Sequence, residues 1–473
     1  MFERRAEIPT EVLRFRFSRL SKHKGRRTIY RFRQGFYADV RTERRHTSTI
    51  VYKNGILTEN KERVTDGAFI RVFDGKMWYY ASTENPENIQ KELDGLYELA
   101  EANPEIDAHP LVRRFEVNRE KKYLFKDCST ENIPRERKQK LLTDLFPLVA
   151  AYPEIKLSVM RYLDRHSDYS FYSSKGAALF YDYQTCGAAI SCQAAADGKN
   201  FSFAYQKGKT RFEEVCGLEN ELKQSIEEGI TFLKTAKDAE TGDFPVILSP
   251  EAAGVFAHES FGHKSEADFM LGDETMKKEW SIGKKVGSDG LSIIESGTFE
   301  GCGYVPYDDE GTRATRTYLI KNGFLAGRLH SAETAAELGE AVTGNARAMG
   351  TEFEPIVRMT TTVIEGGDKT FDELVKNVKH GYFIKTIKHG SGMSTFTIAP
   401  NISYEIVDGK IAGPVKISVI SGDVFRTLGL IDGLSKEAEI LSFVTGGCGK
   451  MEQYPLPVGF GAPYVSVSKM KVQ

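Results

Sequence analysis

A chain of 473 residues, 40% hydrophobic and 27% charged, is too long for one simple core and has an ordinary globular composition, so two or three domains are expected. Its 64 Lys+Arg and 66 Asp+Glu nearly cancel, which leaves no global field to favour nucleic acid or a membrane surface. No apolar run reaches the roughly 18 residues of a membrane helix, no secretory apolar region opens the chain, and six scattered cysteines without a CxxC pair fit a reduced cytoplasm.

The first segment, 1–36, reads as a basic arm. Arg14, Arg16, Arg19, Lys22, Lys24, Arg26 and Arg27 dominate it, and a solvated lead-in is the expectation. From Tyr37 the pattern turns to strands. Thr47 to Tyr52 is β-branched and aromatic, and Asn54-Gly55 marks a hairpin. Asp66-Gly67 predicts a second turn, Ala68 to Phe73 a strand, and Asn85-Pro86 the start of a helix running to about Ala100. A related plan follows: a helix over Pro134 to Ala151, strands from Ile155 to about Tyr205, and a helix over 212–235. Residues 37–235 are therefore expected to form one α+β domain of strand meanders and helices, with two similar halves.

Lys237 to Gly242 is polar and turn-rich, and predicts a linker. Phe244 to Leu248 reads as a short buried strand. Ser249-Pro250-Glu251 supplies an N-cap, a proline at the first helical position and an acid in the first turn, so a helix is predicted from Ala252 to about Phe261. Hairpins follow around Asn322-Gly323 and Asp408-Gly409, and Thr370 with Glu373 makes a capping box. The second domain, 243–473, is expected to be β-rich, and the whole chain α+β.

The helix after Ser249 carries His258-Glu259-Ser260-Phe261-Gly262-His263, a HExxxH motif. Two histidines beside a glutamate are parts of a hydrolytic zinc site, but zinc peptidases more often read HExxH. On a straight α-helix, residues five apart sit about 140° apart, too wide for two imidazoles on one ion. Either a π-bulge or a left-handed helix end at Gly262 must bring them together, so irregular backbone is predicted over 259–263. His258 and His263 are then candidate ligands and Glu259 the candidate base that takes a proton from water. A third ligand is needed. Cys448, in the glycine-rich Gly446-Gly447-Cys448-Gly449, leads on residue type; Cys302, His330, His380, His389, Glu266 and Asp268 remain in contention.

These blocks resemble the TldD/PmbA family, whose members are often described as modulators of DNA gyrase, and its TldD-like metallopeptidase branch in particular. The similarity runs from His258 through Phe269, over Asp308 to Thr312, Thr343 to Arg347 and Pro355 to Thr362, and ends with Cys448-Gly449-Lys450 and Pro457-Val458-Gly459. It implies zinc held by His258, His263 and Cys448, with Glu259 as general base. It also implies a two-domain subunit that pairs as a homodimer, or as a heterodimer with a paralogue, and cleaves unfolded or short peptides. The alternative it leaves is a non-catalytic peptide-binding subunit, the role of family members that lack the metal motif. Peptides would be held by strand addition, and Gly390 to Pro400, with Ser394, Phe396 and Ile398 on one side, is the candidate edge. Glu266 and Asp268 would orient His263. Asp308-Asp309-Glu310 reads as a polar turn, and Asn345 and Arg347 as donors toward substrate.

Overall fold

The computed structural model describes residues 30–473, so the basic arm 1–36 lies outside the described residues except for its last seven. The architecture is α+β. In the N-terminal part, β1 (Tyr37–Lys53), β2 (Ile56–Phe73) and β3 (Trp78–Thr83) form a meander, followed by the helix Ile89–Leu99. After β4 (Arg119–Lys122), the strands β5 (Ile155–Ser173), β6 (Ala178–Ala196) and β7 (Lys199–Lys209) form a second meander, followed by the helix Glu219–Thr235. The β1–β5 pairing joins both into one seven-stranded sheet. Ile50, Tyr162, Ile190 and Phe203 face the helices Arg135–Thr143, Phe146–Ala150 and Glu219–Thr235, which cover one side of it.

Two local expectations fail here for visible reasons. Asp66-Gly67 does not turn; β2 runs through it. A Cβ on Gly67 would meet Thr351 Oγ1 at 2.2 Å, so the glycine admits a neighbour from the C-terminal part rather than bending the chain. The predicted helix over Pro134 to Ala151 is two helices, Arg135–Thr143 and Phe146–Ala150. Pro147 lacks the N–H that would continue the first and its ring would crowd the carbonyl four residues back.

Lys138 projects from Arg135–Thr143 into the N-terminal core and meets Asp164 at 2.7 Å, both side chains fully buried. Such a pair contributes little net stability but is costly to break, because one charge is left without its partner. Lys138→Ala is expected to destabilise this part by about 3–5 kcal/mol. Lys138→Met combined with Asp164→Leu should recover most of that loss, read as the shift of the urea midpoint.

In the C-terminal part, Lys237–Asp238 pairs in parallel with Val415–Lys416, so half of the predicted linker is sheet. β8 (Lys237–Asp238) and β9 (Gly242–Leu248) belong to an eight-stranded sheet. Its members His380–Gly392 and Thr395–Val407 also pair with each other, which closes the path β9, Val465–Val472, Ile420–Asp423, Thr395–Val407, His380–Gly392 on itself. A six-stranded sheet containing Ile293–Glu295, Thr361–Ile364 and Gly459–Ala462 lies beside it. The helix Pro250–Phe256 packs between the two sheets, against His380–Gly392 on one side and Gly459–Ala462 on the other. Phe256 and Phe261 are fully buried in the largest core, each stabilising by roughly 1.5–3 kcal/mol. Among the described residues no helix is long and apolar enough to cross a membrane.

The two parts are joined by charge. Arg71 pairs with Asp39 at 2.7 Å and with Glu310 at 3.0 Å, and Arg41 pairs with Asp309 at 3.1 Å. The Asp308 carboxylate accepts from the backbone N–H of Glu310, Thr312 and Ala346. Asp308-Asp309-Glu310 is therefore a turn that docks the two parts together.

Candidate metal centre

Ser249 starts the site helix. Its Oγ accepts from Ala252 N at 3.1 Å and donates to Lys385 O at 2.7 Å, so the cap also fixes the helix to the strand His380–Gly392. The α-helix lasts from Pro250 to Phe256 and continues as a π-helix over Ala257–Gly262. His263 N–H donates to His258 O, an i→i+5 bond between the two histidines of the motif. The π-bulge is thus the device used, not a left-handed end: Gly262 is helical at φ −58°. Its role is space, because a Cβ there would meet Met359 Sδ at 2.0 Å.

The result is convergence. The His258 and His263 ring centroids are 5.3 Å apart. One ligand atom from each of His258, His263 and Cys448 lies within 4.8 Å of the others, with Cys448 Sγ 3.3 Å from His263 Nε2. Burial alone would raise the Cys448 thiol and lower the imidazoles. The opposite shifts prevail because they face each other: the imidazoles pull the thiol well down, and the thiolate pushes His258 and His263 up. The His258 Nδ1 is buried with no hydrogen-bond partner among the described residues. A thiolate and two imidazoles around one point, with an orphaned ring nitrogen, suit a divalent cation that displaces the imidazole protons.

The surrounding groups hold this arrangement. His263 Nδ1 lies 3.1 Å from Glu266 Oε2, which leaves Nε2 toward Cys448. That is the carboxylate–histidine pairing that orients metal ligands. Lys450 donates to Glu266 at 3.0 Å, to Asp268 at 2.7 Å and to Val357 O at 2.9 Å. Asp268 therefore reaches the site through Lys450. The fully buried Arg358 donates to Cys448 O at 2.8 Å and to Gln453 O at 3.3 Å, which pins the cysteine strand from behind. Lys450 had one sequence signal: it stands two residues from Cys448 in the strand Cys448–Lys450, and both are buried. Arg358 had none.

The other third-ligand candidates are elsewhere. His330 is held between Thr334 and Glu340, His380 pairs with Glu405, and the Cys302 carbonyl accepts from Tyr183. His389 borders the same cleft without joining the cluster. Asn345 donates to Arg358 O, and Arg347 to the carbonyls of Met359 and Pro457, so both serve the scaffold.

A cleft of about 260 Å³ opens over His258, Glu259 and Cys448, walled by Lys388, His389 and Gly390 on one side and Phe443, Tyr454 and Phe460 on the other. The strand edge expected at Gly390 to Pro400 is not the free one. Phe396–Ile398 is paired on both sides, with Gly390–Gly392 and with Ile420–Gly422, and Phe396 and Ile398 are core residues. Among the described residues the unpaired side belongs to Lys388–Gly392, along the cleft. Ile387 N, just before it, is taken by Glu251 Oε1 at 2.9 Å.

Burial pushes the Glu251 carboxyl up to about 7, with a lesser contribution from Glu439. A carboxyl raised in the fold carries no penalty below its unfolded value. The penalty grows between about pH 4.5 and 7 and is full above that. Glu251→Gln keeps an acceptor for Ile387. It is expected to raise Tm at pH 8 and leave it unchanged at pH 4.5; equal Tm values at both pH values would refute the assignment.

Residues 241–473 match a family described as PmbA/TldA metallopeptidase C-terminal domain, and residues 38–103 match its domain 1. A metalloprotease of Methanothermobacter thermautotrophicus is 33% identical over 454 residues, covering 92% of this chain and 95% of that protein. A zinc metalloprotease TldD homolog of Saccharolobus solfataricus is 27% identical, over 92% of this chain and 96% of its own. The fold matches a crystal structure from Thermotoga maritima described as a modulator of a DNA gyrase, with TM-score 0.75, 19% identity, and 93% and 96% of the two chains covered. It also matches TldE from Thermococcus kodakarensis, with TM-score 0.74, 13% identity, and 92% and 96% covered. By these matches the chain belongs to the TldD/PmbA family of metallopeptidases.

Proposed function

We propose that the protein is a zinc-dependent peptidase of unfolded or short peptides, with His258, His263 and Cys448 as metal ligands and Glu259 as general base. The observation that carries this reading is the convergence of two imidazoles and one thiol at the floor of an open cleft, with Glu259 beside them. A nitrogen and sulfur donor set suits zinc. When bound, zinc supplies electrophilic activation of a peptide carbonyl and acidifies water. Glu259 receives the proton and passes it to the leaving amine. The unpaired edge of Lys388–Gly392 holds an extended peptide by backbone hydrogen bonds, which favours unfolded segments without a strict sequence code.

The same reading includes a second subunit, a copy or a paralogue. The outer edge of β2 is unpaired from Ile56 to Gly67 among the described residues and exposes Ile56, Leu57 and Val64. Such an edge is a template for another chain. The compartment is the cytoplasm, where six free cysteines stay reduced and Cys448 stays a thiolate.

Metal analysis joined to a cleavage assay on unstructured peptides tests this. About one zinc per chain is expected, with cleavage lost on chelation and restored by zinc. Zinc without cleavage, reversed only by adding a paralogue, would favour the binding-subunit alternative. Cleavage that survives complete metal removal would end the reading.

A further inference from the structure

Arg347 lies inside the protein with no ion pair among the described residues, and the acids that act on its charge, Asp309 and Glu295, do so from beyond pairing distance. It donates to Met359 O, and to Pro457 O at 2.9 Å. These carbonyls satisfy two of its five N–H groups. They do not neutralise its charge, and a desolvated cation is costly without a counter-charge. Burial, with Arg358 nearby, holds its pKa below the ordinary arginine range.

The guanidinium lines a small cavity between the N-terminal sheet and the C-terminal part, together with Arg165, Tyr169, Tyr181, Tyr183 and Asp309. Each charge there can be traced. Arg165 donates to Glu43 at 2.7 Å and to the Tyr169 hydroxyl at 2.7 Å. Glu43 is also taken by Arg45 at 2.6 Å, and Asp309 by Arg41 at 3.1 Å. Arg41, Arg45, Arg165 and Arg347 thus face Glu43 and Asp309, with the buried Glu295 also acting on Arg347, which leaves one positive charge in excess around the cavity. The Tyr183 hydroxyl is used on Cys302 O, whereas the Tyr181 hydroxyl has no partner among the described residues. Tyr169 accepts from Arg165 and keeps its own proton to donate.

Size then selects the ligand. The cavity measures about 30 Å³. A water molecule needs roughly 10–15 Å³ on this measure, so two or three water-sized occupants fit and a peptide does not. Water would meet the hydrogen bonds but not the charge. We propose that the cavity binds a small monoanion of halide size, held by Arg347, Arg165 and the phenols of Tyr169 and Tyr181. Its occupant braces the metal centre: Pro457 precedes Val458 of the cleft wall, and Met359 packs under Gly262.

Crystals of the full chain soaked in sodium bromide, measured at the bromine edge, are expected to show an anomalous peak beside Arg347. In solution, Tm at matched ionic strength should be higher in chloride than in gluconate, with a saturating chloride dependence. Arg347→Met also removes the brace on Met359 and Pro457, so Tyr181→Phe carries the decision. It deletes one donor and should raise the chloride midpoint by about threefold or more. A cavity without bromide, coincident chloride and gluconate curves, or an unchanged midpoint in Tyr181→Phe would each overturn the proposal. So would acetate outcompeting chloride, since a carboxylate-sized ligand contradicts the volume.

Discussion

Glu259→Gln is expected to lower peptide kcat/KM by about 10²–10⁴ while metal content stays near one ion per chain. The amide has the shape of the carboxylate but cannot take a proton, so only the proposed chemistry is removed. Glu259 is outside the cluster of three converging donors, which is why metal should stay. It is half-buried at the cleft, with no hydrogen bond to another side chain among the described residues, so its replacement should leave stability within about 0.5 kcal/mol. Activity within tenfold of the parent would remove Glu259 as the base. Loss of metal would instead make it a ligand.

What the sequence revealed was mostly local. The hairpins at Asn54-Gly55, Asn322-Gly323 and Asp408-Gly409 form as expected, each with both residues at positive φ. That demand falls on the two residues themselves, so it shows in their identity. Asp66-Gly67 carries the same letters for another reason, since Gly67 makes room for Thr351, nearly three hundred positions away. The distorted backbone after Glu259 was legible because five-residue spacing cannot converge on an α-helix. The third donor was legible only as the leading one of seven: residue type put Cys448 first, but its approach to the histidines depends on Arg358 and Lys450 holding a strand that begins 185 residues after His263. The free edge was misplaced for a related reason. Gly390 to Pro400 alternates as a strand should, but only the pairing with Ile420–Asp423 shows which side is used.

Cys448→Ala is expected to lose zinc, with affinity falling by more than the 10–100-fold typical of losing an outer-shell partner. Two imidazoles remain, one short of the three protein ligands a catalytic zinc takes. The fold should survive, because Arg358 binds the backbone carbonyl of residue 448 and the strand pairing with Leu456 is also backbone. Comparing metal-free forms of both proteins isolates the ligand effect from zinc's own contribution to stability. The pH dependence gives an independent check. The thiolate raises both imidazoles, so in the parent protein protons compete with metal at a higher pH than ordinary histidines would allow. Removing the thiolate relieves His258 most, since Glu266 still supports a proton on His263. Zinc binding by the variant should therefore release fewer protons at neutral pH, measured calorimetrically in buffers of different ionisation enthalpy. Stoichiometric zinc in Cys448→Ala, or unchanged proton release, would take Cys448 out of the metal site and reopen the choice of third ligand.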